Sequence, residues 1–157
     1  MPKSALEKYV RKTLSKTERT HKESDAPHLI LKSDKEFGDR QFTLACVPVF
    51  SPYEMQSDHH AHDFDQYLFF SGGDPLHMDD LGGIVEITLS EDGKNLKKFA
   101  ITEATCVFIP AGLYHCPLFF KKINDPKKPI IFQNLFFASK YDKLPEKKAK
   151  SPAKKSK

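Results

Sequence analysis

The densest polar stretch of the chain is His59-His60-Ala61-His62-Asp63-Phe64-Asp65-Gln66. In an extended strand alternate side chains share a face, so His60 and His62 point one way and His59 points the other way. Two neutral imidazoles on one face can bind one divalent transition metal. If the strand continues, Gln66 returns to the face that carries His60 and His62. The stretch therefore predicts half of a metal site on a β-strand.

A further histidine stands in a different setting. The turn signal Pro110-Ala111-Gly112 follows an apolar run, and His115 comes three residues after that turn. From across a closed β-barrel, His115 can supply a third imidazole to the same ion. Taken singly, the tract 59–62 also fits an exposed loop, and His115 also fits a satisfied core residue. The metal interpretation therefore depends on the two segments meeting in space.

The two segments and their spacing resemble the paired motifs of the cupin superfamily. The first cupin motif has the form HxHx(3,4)Ex(6)G, and the second has the form PxGxxH. The matching residues are His60, His62, Gln66 and Gly73 for the first motif and Pro110, Gly112 and His115 for the second. The resemblance covers about residues 42–138. Gln66 stands in place of the usual Glu, Ala104 in place of a Gly, and Phe119 in place of an Asn.

The resemblance implies a small antiparallel jelly-roll barrel of the all-β class that holds a metal inside. On this pattern the metal ligands are His60, His62, Gln66 and His115. Asp65 is a rival to Gln66 if a bulge shifts the strand register by one residue. The implied partners are a small-molecule ligand and a second copy of the chain, as a homodimer.

The rest of the body also predicts β-structure, because short apolar runs alternate with turn signals such as Asp92-Gly93 and Asn124-Asp125-Pro126. The predicted strands are Leu29–Leu31, Phe42–Phe50, His60–Phe70, Ile84–Leu89, Lys97–Ile101, Cys106–Ile109, His115–Phe120 and Ile130–Ala138. On the third of these, Leu68 and Phe70 share the face of the predicted ligands, whereas Tyr67 and Phe69 face the other way. No helical pattern intervenes, which favours a sandwich or barrel.

The two ends of the chain differ from the body. Residues 1–27 are predicted to form a short helix over 4–16 and a polar linker, because a capping box precedes a narrow apolar stripe. Residues 28–139 are the predicted barrel domain. Residues 140–157 contain eight lysines and two acidic residues and are predicted to be a disordered tail.

Composition excludes several classes of protein. The 157 residues carry 25 Lys and Arg against 21 Asp and Glu, a net charge of +4. The positive excess lies at the two ends, so only weak contact of the basic tail with nucleic acid is expected. No apolar run approaches the ~18–20 residues that span a bilayer, and no signal peptide is recognisable, so we expect a cytoplasmic protein without a membrane partner. The three cysteines, Cys46, Cys106 and Cys116, lack CxxC spacing and are expected to be reduced and buried.

The predicted ligands indicate a class of chemistry. Imidazoles suit Fe, Mn, Ni, Cu or Zn, and the sequence does not select among these metals. The amide of Gln66 leaves a divalent ion at +2, which favours redox-neutral Lewis-acid work over oxidation. Cupins with Gln in this place include sugar-acid ring-opening members, so the resemblance implies an isomerase, lyase or cyclase acting on a sugar-acid or keto- or hydroxy-acid-like molecule. An iron-dependent dioxygenase and a non-catalytic metabolite-binding cupin are the alternatives, so enzymatic activity is left open.

Three further residues are candidates for roles beside the metal. Glu86 interrupts an apolar strand and, if it faces inward, is the first choice for a general base, because burial raises a carboxyl pKa. Tyr114 is a candidate acid or hydrogen-bond donor. Arg40 is a candidate anchor for a substrate carboxylate. A solvent-facing position is the alternative for Glu86 and Arg40, and a core or surface role is the alternative for Tyr114. Residues 54–92 hold ten acidic groups and no Lys or Arg, and we expect them to repel an anionic substrate unless a cation is placed nearby.

Overall fold

Alternation between buried and more exposed side chains marks the strands of this protein. A computed structural model describes residues 6, 9, 10, 28–33, 37, 38, 40–138 and 140–144. In it, Thr43–Val49 and Gln66–Gly72 bury every second side chain, as a strand with one face on a core requires. The nine strands of the described residues are β1 (Leu29–Lys32), β2 (Thr43–Val49), β3 (Tyr53–Gln56), β4 (Gln66–Gly72), β5 (Asp80–Ser90), β6 (Lys97–Glu103), β7 (Thr105–Ile109), β8 (Tyr114–Ile123) and β9 (Ile130–Phe136).

These strands form two antiparallel sheets. One sheet has five strands in the order β1-β2-β9-β4-β7, and the other has four strands in the order β3-β8-β5-β6. Neighbours that are distant in sequence, such as β2 beside β9 and β3 beside β8, show that the chain passes repeatedly between the sheets. Such crossing is typical of a jelly roll. The all-β class and the jelly-roll architecture predicted from the sequence are confirmed.

Aromatic side chains join the two sheets through the core. Phe70 of β4 and Phe120 of β8 are almost fully buried, and their ring centroids lie 6.3 Å apart. Phe132 of β9 contacts both rings, at centroid distances of 5.2 and 5.8 Å. Leu68 is buried on the same face of β4 as Phe70, whereas Phe69 is 37% exposed, as the alternation predicted. The predicted face of β4 is therefore the one that meets the core.

Two strand assignments from the sequence are wrong. The strand β3 was missed, because it has only four residues and a bulge interrupts its pairing with β8. In addition, β4 begins at Gln66 and not at His60. The reason is topological, because His60 exchanges two backbone hydrogen bonds with His115 of β8 in one sheet, while β4 belongs to the other sheet. Residues 61–65 therefore cross between the sheets and cannot be a strand.

The predicted end segments fall largely outside the described residues. Of the helix predicted over 4–16, the described part includes Tyr9, whose backbone N–H donates to the carbonyl oxygen of Leu6 at 3.0 Å. The first five residues of the predicted tail, 140–144, lie against the barrel, so the packed chain extends beyond the predicted boundary. Residues 145–157 lie outside the described residues. Within the part of the chain that is described, no helix has the length and apolarity needed to cross a membrane.

The register of β4 predicts unequal effects for two adjacent phenylalanines. Phe70→Ala removes a fully buried ring and should lower the free energy of unfolding by about 3–5 kcal/mol. Phe69→Ala removes a partly exposed ring on the opposite face and should cost much less, about 1 kcal/mol or below. Urea unfolding of the two variants measures the difference. Equal losses would contradict the assignment of inner and outer faces.

Candidate metal centre

Three histidine rings meet inside the barrel. His60 and His115 are neighbours through their paired backbones, and their ring centroids lie 4.5 Å apart. His62 lies in the crossing segment, with its centroid 4.9 Å from that of His60 and 5.1 Å from that of His115. All three side chains are buried. The structure therefore brings together the three imidazoles that the sequence motifs singled out.

The hydrogen bonds of these rings leave one nitrogen of each ring unused. Each Nδ1 atom faces a backbone carbonyl oxygen, and because a carbonyl oxygen only accepts, each Nδ1 carries a proton and donates it. Each Nε2 atom is then a lone pair, and all three Nε2 atoms are buried without a hydrogen-bond partner. Metal-binding histidines have this arrangement. The accepting carbonyls belong to Asp58 for His60 (2.8 Å), Asp142 for His62 (2.6 Å) and Leu113 for His115 (3.2 Å).

Burial keeps the three rings neutral. Desolvation lowers the pKa of His60 and the pKa of His62 from the usual value near 6.5. It lowers the pKa of His115 to about 3, with a further contribution from the neighbouring His60. A buried polar atom without a partner costs about 1–3 kcal/mol. The three rings have centroids 4.5–5.1 Å apart and each keeps an unpartnered lone pair, and neutral imidazoles fit a divalent transition metal. Among the described residues, the donor atoms that all lie within 4.8 Å of one another belong to His60, His115 and Cys116, and His62 is not in that group.

Gln66, the first residue of β4, turns its side chain inward and is 1% exposed. Its Nε2 atom donates to Oδ1 of Asn134 at 2.9 Å and to the hydroxyl oxygen of Tyr141 at 3.3 Å. Its Oε1 atom is buried without a hydrogen-bond partner. Both amide hydrogens are thus used in hydrogen bonds, and the lone pairs of the amide oxygen are available to coordinate a metal. This placement fits the role of fourth ligand, which stays a prediction.

Asp65, the rival to Gln66, faces away from the imidazoles. Its side chain is exposed, and its Oδ1 atom accepts a hydrogen bond from the backbone N–H of Ala111 at 2.9 Å. Its carbonyl oxygen accepts from the N–H of Phe137 at 3.1 Å. Asp65 therefore ties the turn before β8 to the crossing segment and helps to place His115.

Cys116 also reaches the site, and the sequence motifs did not connect it with a metal. Its Sγ atom and one ring nitrogen each of His60 and His115 all lie within 4.8 Å of one another. The pairing of β8 with β5 is irregular at this point and Cys116 has a φ of 76°, so His115 and Cys116 both turn inward although they are adjacent. Burial raises the pKa of the Cys116 thiol to about 12. Cys106, by contrast, is exposed, and the prediction that all three cysteines are buried is wrong.

A cavity of about 530 Å³ opens beside these donors. Gln66, His115 and Cys116 form part of its wall. Three lysines also reach it, namely Lys32, Lys140 and Lys143. None of the ten acidic residues in 54–92 lines it, and the three lysines are nearby cations of the kind that the expected repulsion of an anionic substrate excepted. The apolar part of the wall consists of Ile30, Ala45, Val47, Met55, Leu68, Leu118, Phe132 and Phe136.

Glu86 does not face this cavity. It lies on the outer face of β5, between the buried residues Val85 and Ile87. Its carboxylate pairs with Nζ of Lys121 at 2.9 Å and with Nζ of Lys98 at 3.1 Å. These hydrogen bonds hold the carboxyl pKa below its usual range, which is opposite to the raised pKa that a general base needs. Glu86 therefore takes the solvent-facing position that the sequence left as the alternative, and a role as general base, which required an inward position, has no geometric support.

Tyr114 and Arg40 are also absent from the cavity wall. Tyr114 precedes His115 on β8 and stacks on His59, with ring centroids 5.2 Å apart. His59 donates through Nδ1 to the carbonyl oxygen of Cys116 at 2.9 Å. Arg40 is exposed beside β2. The predicted catalytic role of Tyr114 and the predicted anchoring role of Arg40 therefore have no geometric support.

Comparison with known proteins finds a likeness of structure only. No protein-family model and no curated protein matches the chain. An oxalate decarboxylase structure matches 93% of this chain and 37% of its own chain, at 15% sequence identity and a TM-score of 0.51. A structure of Bacillus subtilis oxalate decarboxylase matches 76% of this chain and 27% of its own chain, at 15% sequence identity and a TM-score of 0.46. The structure of BH2720 from Bacillus halodurans matches 68% of this chain and 69% of its own chain, at 13% sequence identity and a TM-score of 0.46. The chain thus spans about a third or less of the oxalate decarboxylases that it matches.

The fold and the site define a double-sheeted β-barrel with a histidine cluster inside. The match to oxalate decarboxylase over 93% of this chain, at a TM-score of 0.51, identifies the barrel as the cupin fold. The chain therefore has the cupin fold, and the resemblance inferred from the two motifs is confirmed for the fold.

The outward position of Glu86 leads to a specific expectation. Glu86→Gln weakens two ion pairs at the protein surface, so the melting temperature should change little. The affinity for added Co²⁺ should not change, because Glu86 does not line the cavity. Thermal melts and a Co²⁺ titration measure the two quantities. A loss of Co²⁺ binding without a loss of stability would restore Glu86 to the site.

Proposed function

We propose that this protein is a metal-dependent cupin enzyme that carries out redox-neutral chemistry on a small organic anion. His60, His62 and His115 would hold a divalent transition metal, with Gln66 as the fourth ligand. The observation that supports this is that the three clustered imidazoles and the Gln66 amide each keep one buried atom without a hydrogen-bond partner. A divalent metal held there would supply a Lewis acid that polarises a carbonyl group or activates a water molecule.

The identity of the fourth donor supports redox-neutral chemistry. A neutral donor set leaves the full charge of a divalent ion in place, which strengthens its pull on a substrate oxygen. Gln66 is held in this neutral role by Asn134 and Tyr141, which use both of its amide hydrogens. A dioxygenase that cycles to a more oxidised metal would gain from a carboxylate here, and an iron-dependent dioxygenase is therefore the weaker alternative.

The cavity supports a substrate that is apolar in part and anionic in part. A volume of about 530 Å³ lies within the range of small-molecule sites. Its apolar wall can hold a carbon skeleton, and Lys32 and Lys140 can attract a carboxylate, whereas Lys143 is paired with Asp58. The carbonyl or hydroxyl group of a keto or hydroxy acid can then meet the metal. A sugar-acid or keto- or hydroxy-acid-like molecule fits these features.

The chain's own groups would orient the substrate and hold protons. Burial raises the pKa of Tyr141 to about 12, so its hydroxyl keeps its proton and can donate a hydrogen bond to a substrate oxygen. Cys116 keeps its proton for the same reason. The apolar wall excludes water from the reacting groups.

A non-catalytic cupin that binds a metabolite is the second candidate. It is favoured by the shortage of acid–base groups, because Asp142 is the only carboxylate among the described residues that line the cavity. Incubation of the protein with a bound acid distinguishes the two functions, because only the enzyme would convert the acid to a product. A homodimer and a cytoplasmic location are further parts of the proposal.

Metal binding is the first expectation. Adding Co²⁺ or Zn²⁺ to metal-free protein should stabilise the fold, by about 2.7 kcal/mol when the free metal is at 100 times its Kd. His62→Ala and His115→Ala should abolish most of this gain, because each removes a buried imidazole. His77→Ala is the matched control, since His77 is exposed and paired with Asp74. Thermal melts and elemental analysis measure the effect, and an unchanged gain in His115→Ala would contradict the site.

The role of Gln66 can be tested separately. Gln66→Glu replaces a neutral donor by a charged one and should raise the affinity for Zn²⁺ roughly tenfold or more, while Gln66→Leu should lower it. Without metal, Gln66→Glu should also be less stable than wild type, because an unpaired carboxylate is then buried. Competition with a chelator measures the affinity, and urea unfolding measures the stability. Equal Zn²⁺ affinity in all three proteins would exclude Gln66 as a ligand.

A further inference from the structure

Residues 140–144, here called the C-terminal strap, lie against the candidate metal centre. The carbonyl oxygen of Asp142 is the acceptor for Nδ1–H of His62, at 2.6 Å. That hydrogen bond selects the tautomer in which Nε2 of His62 is a lone pair. A residue near the end of the chain therefore sets the donor atom of a ligand that lies 80 positions earlier.

Tyr141 contacts a second ligand as well. Its hydroxyl oxygen accepts from Nε2 of Gln66 at 3.3 Å, which helps to fix the direction of the amide oxygen. Its ring lies against that of His62, with centroids 4.3 Å apart, and against that of Phe136 at 5.1 Å. Although 44% of Tyr141 is exposed, its hydroxyl is thus turned towards the ligands. One side chain of the strap therefore touches two of the four candidate ligands.

The last two strap residues fasten the segment that carries His60 and His62. The backbone N–H of Leu144 donates to the carbonyl oxygen of Ala61 at 2.8 Å, between these two histidines. Nζ of Lys143 pairs with the carboxylate of Asp58, the residue whose carbonyl oxygen orients His60. This contact also lowers the pKa of Asp58. The strap is therefore joined to the supports of His60, His62 and Gln66.

The strap also forms one wall of the cavity. Residues 140–143 line it together with Gln66 and His115. A displacement of the strap would therefore open the cavity and release two ligand orientations at once. The lysine-rich composition that predicted a tail without structure does not reveal this, because the decisive contacts are made by backbone atoms and one hydroxyl.

We infer that the C-terminal strap is a working part of the metal centre, in which Tyr141 and the backbone of residues 142–144 are positioning groups for the metal ligands. The inference rests on the proposed function, because it requires that a metal binds. Groups that orient metal ligands are worth about 10–100-fold in metal affinity. Because coupling between two sites is reciprocal, bound metal should hold the strap in place to the same degree.

Full-length variants test whether the strap contributes to the affinity for metal. Tyr141→Phe removes one hydroxyl and should weaken Zn²⁺ binding about tenfold, whereas Tyr67→Phe on the outer face of β4 should not. Leu144→Pro removes the N–H that bonds to Ala61 and should weaken binding about 10–100-fold. Leu144→Ala keeps that N–H and should retain the affinity. Chelator competition gives the Kd values, and melts of the metal-free variants verify that each is folded.

Trypsin digestion of the wild-type protein tests whether bound metal holds the strap in place. Cleavage after Lys140 and Lys143 should slow when Zn²⁺ is added, because bound metal favours the docked strap. Cleavage after Lys94, in an exposed turn, should be unaffected by Zn²⁺.

The possible results distinguish the proposed metal binding from the proposed role of the strap. If wild type fails to bind Zn²⁺, Co²⁺ or Mn²⁺, the proposed function is wrong. If wild type binds metal while Tyr141→Phe and Leu144→Pro bind it equally well, the metal centre stands and the role of the strap is wrong. Protection of Lys140 and Lys143 by metal, together with weakened binding in both variants, supports the strap as part of the centre.

Discussion

The structure depends on a constraint set by three buried imidazoles. Each of them donates from Nδ1 to a backbone carbonyl, and each Nε2 lone pair is buried without a hydrogen-bond partner. Burial suppresses the alternative of protonating the rings, because a charged imidazole is poorly solvated in the interior. The proposed divalent cation would resolve this conflict by accepting lone pairs of these rings.

The path of the chain makes that convergence possible. His60 is paired with His115 of β8 in one sheet, and Gln66 is the first residue of a strand in the other sheet. The crossing segment 61–65 carries His62 between them. Closure of two sheets around a core of phenylalanines fixes these positions, because a packed interior leaves the crossing segment little freedom. The core therefore positions the site as well as stabilising the fold.

The site extends beyond the residues that the motifs mark. Cys116 enters because an irregularity in β8 turns two adjacent side chains inward. Tyr141 and the backbone of Asp142 enter from the end of the chain and complete the support of Gln66 and His62. The basic side of the cavity also comes from outside the motifs, so the acidic character of the central sequence does not describe the environment of a bound ligand.

The sequence alone determined the all-β class, the inner face of β4 and the candidate ligands His60, His62, Gln66 and His115, because strand alternation and motif spacing are local properties. It could not determine the inward turn of Cys116, the outward ion pairs of Glu86 or the docking of residues 140–144. These depend on pairing register, on a bulge and on backbone hydrogen bonds between distant segments, and such contacts leave no periodic signal in the amino-acid sequence. Only the tertiary structure brought the carbonyl of Asp142 to His62 and the hydroxyl of Tyr141 to Gln66.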